Sequence, residues 1–260
     1  IMDRYWEAHD LIIKALSTHD GPFNWEGEYY QYRNVNIWPR PVQAPTPPIW
    51  MTGLSAGTGR AAAEKGHVAA TLISGAIAKP MFDAYRTRAR ELGWEAGPDR
   101  LAYAAMIGVG KTTEEGKRRA DQISDYVRTS PIVYEPFTNP PGYNTVPANV
   151  AGLKSPGKRA FVLDWQGNPI NHETASIEDF MASDTAFAGT PDEVFEQIKD
   201  FHQRCGGFGN LLFFGQGGHL NHEDTCDNIR LFAKEVFPRL QELNAGHPAS
   251  TAPPLRVAAE

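Results

Sequence analysis

Short apolar runs alternate with longer amphipathic segments over much of the chain. The apolar runs predict strands at IWM (49–51), HVAATL (67–72), LAYAAMIGVG (101–110) and NLLFFG (210–215). Each run is followed by a segment in which apolar residues recur at helical spacing. Alternation of this kind predicts parallel strands that are joined by right-handed helical crossovers.

Two of the predicted helices carry clear start signals. Thr112 and Glu115 have the spacing of a capping box at the start of the helix that follows the third strand. At the next helix, Thr190 is the predicted N-cap, Pro191 lies in the first turn, and Glu193 follows three residues after the cap. The helix over 190–206 is therefore predicted from its own sequence.

The first 48 residues precede this alternation. Residues 1–18 predict a helix with one buried apolar face, formed by Tyr5, Ala8, Leu11, Ile12 and Ala15. Its acidic residues, Asp3, Glu7 and Asp10, predict a solvated face. Aromatic residues around Gly27 predict a hairpin, and they suit either a stacking platform or a small cluster beneath a loop. The proline-rich stretch 39–48 predicts an extended connector.

Four strands and a leading helix correspond to half of an eight-stranded barrel. We predict an α/β chain that contains about the last four βα units of a (β/α)8 TIM barrel, in one domain over 1–243. Because the first helix begins at Ile1 with no lead-in, we expect the natural N-terminus to lie further upstream. The half barrel would have two open sheet edges, and these predict a homo-oligomer.

Residues 130–188 interrupt the alternation with prolines, glycines and aromatic residues. An insertion of this length is usually functional. It suits a lid over the catalytic face, or alternatively a surface excursion or an oligomer contact. Residues 244–260 predict a disordered tail.

Composition and charge narrow the possible partners. The net charge of −6 and the absence of a Lys/Arg block argue against nucleic acid and membrane surfaces as partners. No apolar run reaches the ~18 residues that a spanning helix needs. The two cysteines, Cys205 and Cys226, predict free thiols in a reducing, cytoplasmic compartment.

The turn between the first predicted strand and its helix, TGLSAGTGR (52–60), is the strongest candidate site. Free amide groups at a helix N-terminus, with the hydroxyls of Ser55 and Thr58, suit a phosphate group. Gly53, Gly57 and Gly59 would let an anion approach the backbone. The alternative interpretation is a glycine-rich helix cap with Ser55 as its N-cap.

Two other segments suggest chemistry less strongly. GVGKTT (108–113) lacks the first glycine of a P-loop, because Ala105 occupies that position, so it predicts a capped helix instead. His219 and His222 follow the last strand. They suit a substrate loop or an exposed loop, and no companion set of ligands predicts a metal.

Four stretches together resemble the luciferase-like flavin monooxygenases and cover about half of the chain. They are RYWEAHDLI (4–12), residues 23–66 with their proline connector and Ser-containing turn, AGTPDEVFEQIKDFHQRCG (188–206) and NIRLFAKEVFPRL (228–240). The resemblance implies an eight-stranded barrel that binds FMN or, in some branches, F420. It also implies that Ser55 and Thr58 hold the flavin phosphate with help from the backbone at Gly53 and Leu54, and that Tyr5 contacts the cofactor.

The family's first four strands have no counterpart in this sequence, so no catalytic residue is assigned. The resemblance implies a monooxygenase in which a separate flavin reductase supplies reduced FMN and oxygen is used on a small organic substrate. Two alternatives stay open: an F420-dependent oxidoreductase of the same fold, and a non-catalytic barrel remnant that acts as an interaction module.

Overall fold

The computed structural model describes residues 2–72, 74–129, 150 and 162–251. Its α-helices are α1 (Met2–Ser17), α2 (Ala56–Lys65), α3 (Gly75–Glu91), α4 (Thr113–Thr129), α5 (Ile177–Ala182), α6 (Pro191–Arg204), α7 (His222–Leu231) and α8 (Phe237–Leu243). Its strands are β1 (Phe23–Glu26), β2 (Gln31–Val35), β3 (Trp50–Thr52), β4 (Val68–Leu72), β5 (Leu101–Val109), β6 (Ala186–Gly189) and β7 (Asn210–Phe214). A 3-10 turn precedes β5, and a π-helical segment at Phe232–Val236 joins α7 to α8.

Strand β5 lies at the centre of a parallel sheet. Its first half pairs with β4 on one edge, where Ala69 lies opposite Leu101, and with β7 on the other, where Asn210 lies opposite Ala102. Its second half pairs with β6, and β3 extends the sheet beyond β4. Within the described residues, β3 and β7 each have a strand partner on one side only. The α/β class is confirmed, and closure into an eight-stranded barrel stays a prediction.

The four strands predicted from the sequence are present, but the sheet has a fifth. Strand β6 begins inside the segment 130–188, for which the sequence predicted no regular structure, and it is fully buried. Helix α5, which begins with a capping box formed by Ser176 and Asp179, lies there too. Four small or apolar residues are too short a run to show periodicity, and this is why the pattern did not reveal β6. Residues 130–149 and 151–161 lie outside the described residues.

One face of the sheet packs against helices α2, α3 and α6. Tyr103 of β5 and Phe201 of α6 are fully buried, and their ring centroids lie 4.5 Å apart. Gly59 of α2 faces α3, where an added Cβ would lie 2.2 Å from the carbonyl oxygen of Met81. The two helix backbones approach closely because Gly59 has no side chain. This close packing against α3 fixes the position of α2 and therefore of its N-terminus.

Helix α1 buries only part of the face predicted. Ala15 is buried as predicted and Ile13 is buried too, whereas Tyr5 is 46% exposed and Ile12 is 53% exposed. Apolar residues at three consecutive positions, 11–13, fit helix faces that differ by about 100° per residue, so periodicity alone could not choose between them. Contacts of α1 with the residues that precede β4 select the face through Ile13.

The predicted hairpin is confirmed, and α1 holds it through Glu7. Strands β1 and β2 are antiparallel. The Glu7 carboxylate accepts hydrogen bonds from the amides of Tyr29 and Tyr30, each at 2.9 Å, and from the Trp25 indole at 3.2 Å. The prediction that Glu7 faces solvent was wrong, because a turn with unpaired amides lies within its reach. The hairpin and α1 thus form one unit.

The C-terminal segment packs back onto the start of β5. In the predicted disordered tail, the Ser250 amide donates to Asp99 at 2.9 Å, and the Thr251 amide donates to the carbonyl of Glu95 at 3.2 Å. Residues 252–260 lie outside the described residues. Across the described part of the chain, every helix is too short or too polar to cross a bilayer.

Replacing Phe201 with alanine should lower the free energy of unfolding by roughly 3–5 kcal/mol, because the aromatic cluster that contains it cannot collapse into the space. Urea denaturation followed by far-UV circular dichroism measures this loss. Phe237, which is 49% exposed, is the matched control. Phe237→Ala should cost less than about 1 kcal/mol, and equal losses in the two variants would contradict this packing.

Candidate functional site

The candidate site lies at the edge of the sheet where the parallel strands end. Strand β3 ends at Thr52, the turn Gly53–Ser55 follows at once, and α2 begins at Ala56. The Gly53 amide donates to the carbonyl of Ala70, so the turn stays beside the end of β4. Ligands of parallel α/β folds bind at this edge, because the loops that leave all the strands meet there.

The structure brings the hydroxyls of Ser55 and Thr58 together. Ser55 is the N-cap of α2, with extended backbone angles (φ −145°, ψ 155°), and its Oγ accepts the Thr58 amide at 3.2 Å. The two hydroxyl oxygens lie 3.2 Å apart; Ser55 is exposed and Thr58 is half-buried. The helix-cap interpretation is confirmed. The exposed hydroxyl of Ser55 is open to a ligand, and the hydroxyl of Thr58 lies directly beside it.

The three glycines of the turn have different roles. A Cβ at Gly53 would lie 2.3 Å from Oγ1 of Thr58, so this glycine makes room for the threonine side chain. Gly59 faces α3 and is buried. Only Gly57 is open, with the Ser55 hydroxyl 3.5 Å from an added Cβ. An approaching anion would therefore meet the backbone at Gly57, and the prediction that Gly59 serves this purpose was wrong.

The charge around the turn favours an anion. The first turn of α2 contains no acidic residue, and Arg60 is the first charged residue of the helix. The first intrahelical bond runs from the Gly59 amide to the Ser55 carbonyl. The amides of Ala56 and Gly57 precede it and point out of the helix end. Together with the helix dipole, these amides give the turn a positive potential.

The other two predicted residues differ in their relation to this turn. Leu54 is 45% exposed and directly precedes Ser55. The Tyr5 ring contacts Trp6, and the Lys65 ammonium lies 5.2 Å from the Trp6 ring centroid. Lys65 is at the C-terminal end of α2, roughly 15 Å along the helix from its start. The described contacts of Tyr5 therefore lead away from Ser55, and its role toward a cofactor stays a prediction.

The segments 108–113 and 217–222 have separate structural roles. The Glu115 amide donates to Thr112 Oγ1, and Glu115 accepts from the Lys111 amide, so the predicted cap of α4 is confirmed. His219 is exposed, and His222 opens α7 with Nε2 3.6 Å from Cys226 Sγ. No group of three metal-ligating side chains occurs among the described residues.

A clamp around a buried carboxylate, which the sequence did not reveal, lies beside the end of β4. The Asp184 carboxylate accepts from the Trp165 indole at 2.6 Å and from Arg204 at 2.7 Å. Burial raises the pKa of Asp184 although Arg204 opposes the shift. The Gly75 amide, at the start of α3, donates to the carbonyl of Ser183. The clamp therefore anchors Trp165, in the described part of the insertion, beside the start of α3.

The family model for luciferase-like monooxygenases matches residues 2–206. An uncharacterized protein of Sinorhizobium fredii, y4wF, is 28% identical over 116 residues, which are 44% of this chain and 33% of that protein.

Three solved structures show the same fold at low sequence identity. Monooxygenase RslO1 from Streptomyces bottropensis has a TM-score of 0.65 and 19% identity, over 92% of this chain and 61% of that one. The oxygenating constituent of 3,6-diketocamphane monooxygenase from Pseudomonas putida, in complex with FMN, has a TM-score of 0.62 and 21% identity, over 91% and 63%. The F420-dependent tetrahydromethanopterin reductase of Methanopyrus kandleri has a TM-score of 0.56 and 16% identity, over 91% and 62%. The chain thus spans less than two thirds of the length of each.

Gly53→Ala should destabilise the protein by roughly 1–3 kcal/mol, because the new methyl group would collide with the Thr58 side chain. In a Thr58→Ala background the same change should cost at least about 0.5 kcal/mol less. Denaturant titration of the four proteins of this double-mutant cycle measures the coupling. Gly218→Ala is the control, since a Cβ there meets nothing within 4 Å. A cost at Gly53 that does not depend on residue 58 would contradict the geometry of the turn.

Proposed function

Since the chain belongs to the luciferase-like monooxygenases, whose family model matches residues 2–206, we propose that it forms the phosphate-binding part of an FMN-dependent monooxygenase. The enzyme uses reduced FMN and molecular oxygen to oxygenate a small organic substrate. A separate flavin reductase supplies the reduced FMN. The chain spans less than two thirds of the solved relatives, so this activity is proposed for the whole protein.

One observation carries the proposal: the paired hydroxyls of Ser55 and Thr58 at the N-terminus of α2. The residues present fit a phosphate group. The first helical turn has no carboxylate that would repel it, Ser55 is exposed with the half-buried Thr58 beside it, and Gly57 leaves the backbone accessible. Helix N-termini of this kind hold phosphates through their free amides and dipole.

In the proposed reaction each part of this chain has a separate task. When bound, reduced FMN supplies the electrons that activate oxygen. Ser55, Thr58 and the amides of the turn hold the phosphate and so fix the position of the cofactor. The side chain of Leu54 covers the adjoining surface. We assign no catalytic residue.

The second candidate is an F420-dependent oxidoreductase that transfers hydride without oxygen. Its support is the likeness to the F420-dependent reductase of Methanopyrus kandleri, with a TM-score of 0.56. The turn at Ser55 suits a phosphate group of either cofactor. The distinction between the two therefore depends on the reaction that the whole protein carries out.

Ser55→Asp separates the capping role of Ser55 from phosphate binding. Aspartate is as good an N-cap as serine, so the helix should keep its stability. Its carboxylate would lie beside the phosphate, and FMN affinity should fall at least about tenfold, while riboflavin affinity should not change. Fluorescence titration of the full-length protein with FMN and riboflavin measures both affinities.

Ser55→Asn is the matched control, because asparagine also caps helices and carries no charge. It should bind FMN much more tightly than Ser55→Asp does. Thr58→Val, which removes the second hydroxyl but keeps the shape of the side chain, should weaken FMN and leave riboflavin unchanged. Equal FMN affinity in all four proteins would reject this turn as the phosphate site.

The two candidate cofactors predict different reactivity with oxygen. Stopped-flow mixing of oxygen with reduced FMN should give an oxidation time course that changes when the protein is present. Ser55→Asp should abolish this change, and free reduced FMN provides the baseline. F420 should show no absorbance change with the protein and a hydride donor. Reduction of F420, with no effect on FMN oxidation, would instead support the second candidate.

A further inference from the structure

Two histidine rings meet where α1 packs beneath the sheet. Nε2 of His9 lies 2.7 Å from Nε2 of His67, and the ring centroids are 5.0 Å apart. His9 belongs to α1, and His67 directly precedes β4. His67 is 2% exposed, so this contact is shielded from water. The contact does not involve the turn at Ser55, and the inference drawn from it is independent of the proposed function.

The partners of the two rings fix where the protons lie. His9 Nδ1 is 2.7 Å from Oδ1 of Asp10, and because a carboxylate only accepts, His9 carries its hydrogen on Nδ1. Its Nε2 then accepts the Nε2–H of His67. Nδ1 of His67 is left with a lone pair, and it has no partner among the described residues. Both rings are neutral in this arrangement. Of their four ring nitrogens, His67 Nδ1 is the one that has no hydrogen-bond partner among the described residues.

Added protons disfavour this contact. A single added proton can leave the Nε2–Nε2 hydrogen bond in place only if the buried Nδ1 of His67 carries a hydrogen, and that nitrogen has no partner among the described residues. Two protons place two imidazolium rings in contact at the same short distance. Either state costs free energy that separation of the rings would recover.

Charged and polar groups from several elements surround the histidine pair. Asp10 of α1 is the carboxylate nearest to His9, and the Lys65 ammonium, at the end of α2, lies 3.6 Å from the Asp10 carboxylate. Arg100, just before β5, donates to the carbonyl of Gly66, and Tyr85 of α3 donates to the carbonyl of His67. Burial, followed by His9, Lys65 and Arg100, lowers the pKa of His67 to about 4.

Few other side-chain contacts join α1 to α2 and β4 within the described part of the chain. Ile13 and Ala15 are its buried residues, and the Lys65 side chain bridges to Asp10 and to the ring of Trp6. Glu7, on the same helix, ties the hairpin β1–β2 to α1 rather than to the sheet. Release of α1 would therefore move the hairpin with it.

We propose that the His9–His67 contact is an acid-sensitive latch, and that proton uptake by the pair releases α1 and the hairpin from α2 and β4. The direction of the pH effect follows from the linkage between proton binding and the release of α1. A released His67 has an ordinary affinity for protons, and the docked one has a reduced affinity, so falling pH favours release. The ratio of released to docked α1 rises by up to about tenfold per pH unit below about 6.5.

Hydrogen exchange measured by mass spectrometry on the full-length protein tests the latch. Amide exchange is followed at pH 7.5, 6.5, 5.5 and 4.5 and corrected for the intrinsic dependence of exchange on pH. Protection in α1 and in the hairpin should fall by up to about tenfold per pH unit between 6.5 and 4.5. Protection in β5 and α6 should stay constant. Equal loss in all elements, or constant protection in α1, would overturn the proposal.

His67→Gln is the main variant, because its amide can donate to His9 Nε2 but does not titrate. It should keep α1 protected down to pH 4.5. If this variant does not fold, His67→Leu, which also removes the titrating ring, gives the same test. His219→Gln, which changes an exposed histidine, should behave like the unmodified protein. Acid release that persists in the His67 variant would reject the latch.

Discussion

The position of every functional loop depends on strand β5, which is hydrogen bonded along both edges. Strands β4 and β6 follow one another on one edge, and β7 covers the other as far as Met106. Beyond the end of β7, the buried side chain of Asn228 pairs with the backbone of β5 instead. It accepts from the Val109 amide at 2.6 Å and donates to the Ile107 carbonyl at 2.9 Å. Because buried backbone groups must be paired, this arrangement fixes where each strand ends.

Elements with strong local signals were predictable from the sequence. Repeated apolar spacing revealed α2, α3, α4 and α6, and the caps at Thr112 and Thr190 marked where two of them begin. Strand β6 is too short for a period, and its place is set by pairing with β5, which lies far from it in the sequence. The docking of α1 involves His67, 58 residues away from His9, so the helix pattern alone predicted the burial of Ala15 but not that of Ile13.

The same distinction applies to the candidate site. The turn at Ser55 is contained in a few consecutive residues, and both its cap and its glycines were visible in the sequence. The clamp joins Trp165, Asp184 and Arg204 across 19 and 20 residues of sequence, and no residue in it has a distinctive local pattern. Only the fold brings these side chains together, because α3, the insertion and the end of α6 meet beside β4.

The cap of α2 leaves other donors of the same turn free for a phosphate, so capping and the proposed phosphate binding are not alternatives. Ser55 Oγ accepts the Thr58 amide with a lone pair, and its hydrogen remains able to donate. The two hydroxyl oxygens lie 3.2 Å apart. One hydroxyl can donate to the other, and the hydroxyl that accepts can still donate its own hydrogen outward to a ligand. The cap thus orients Ser55 before any ligand arrives. An anion that accepts the outward hydroxyl and the amides of Ala56 and Gly57 would meet donors that the helix itself has already positioned.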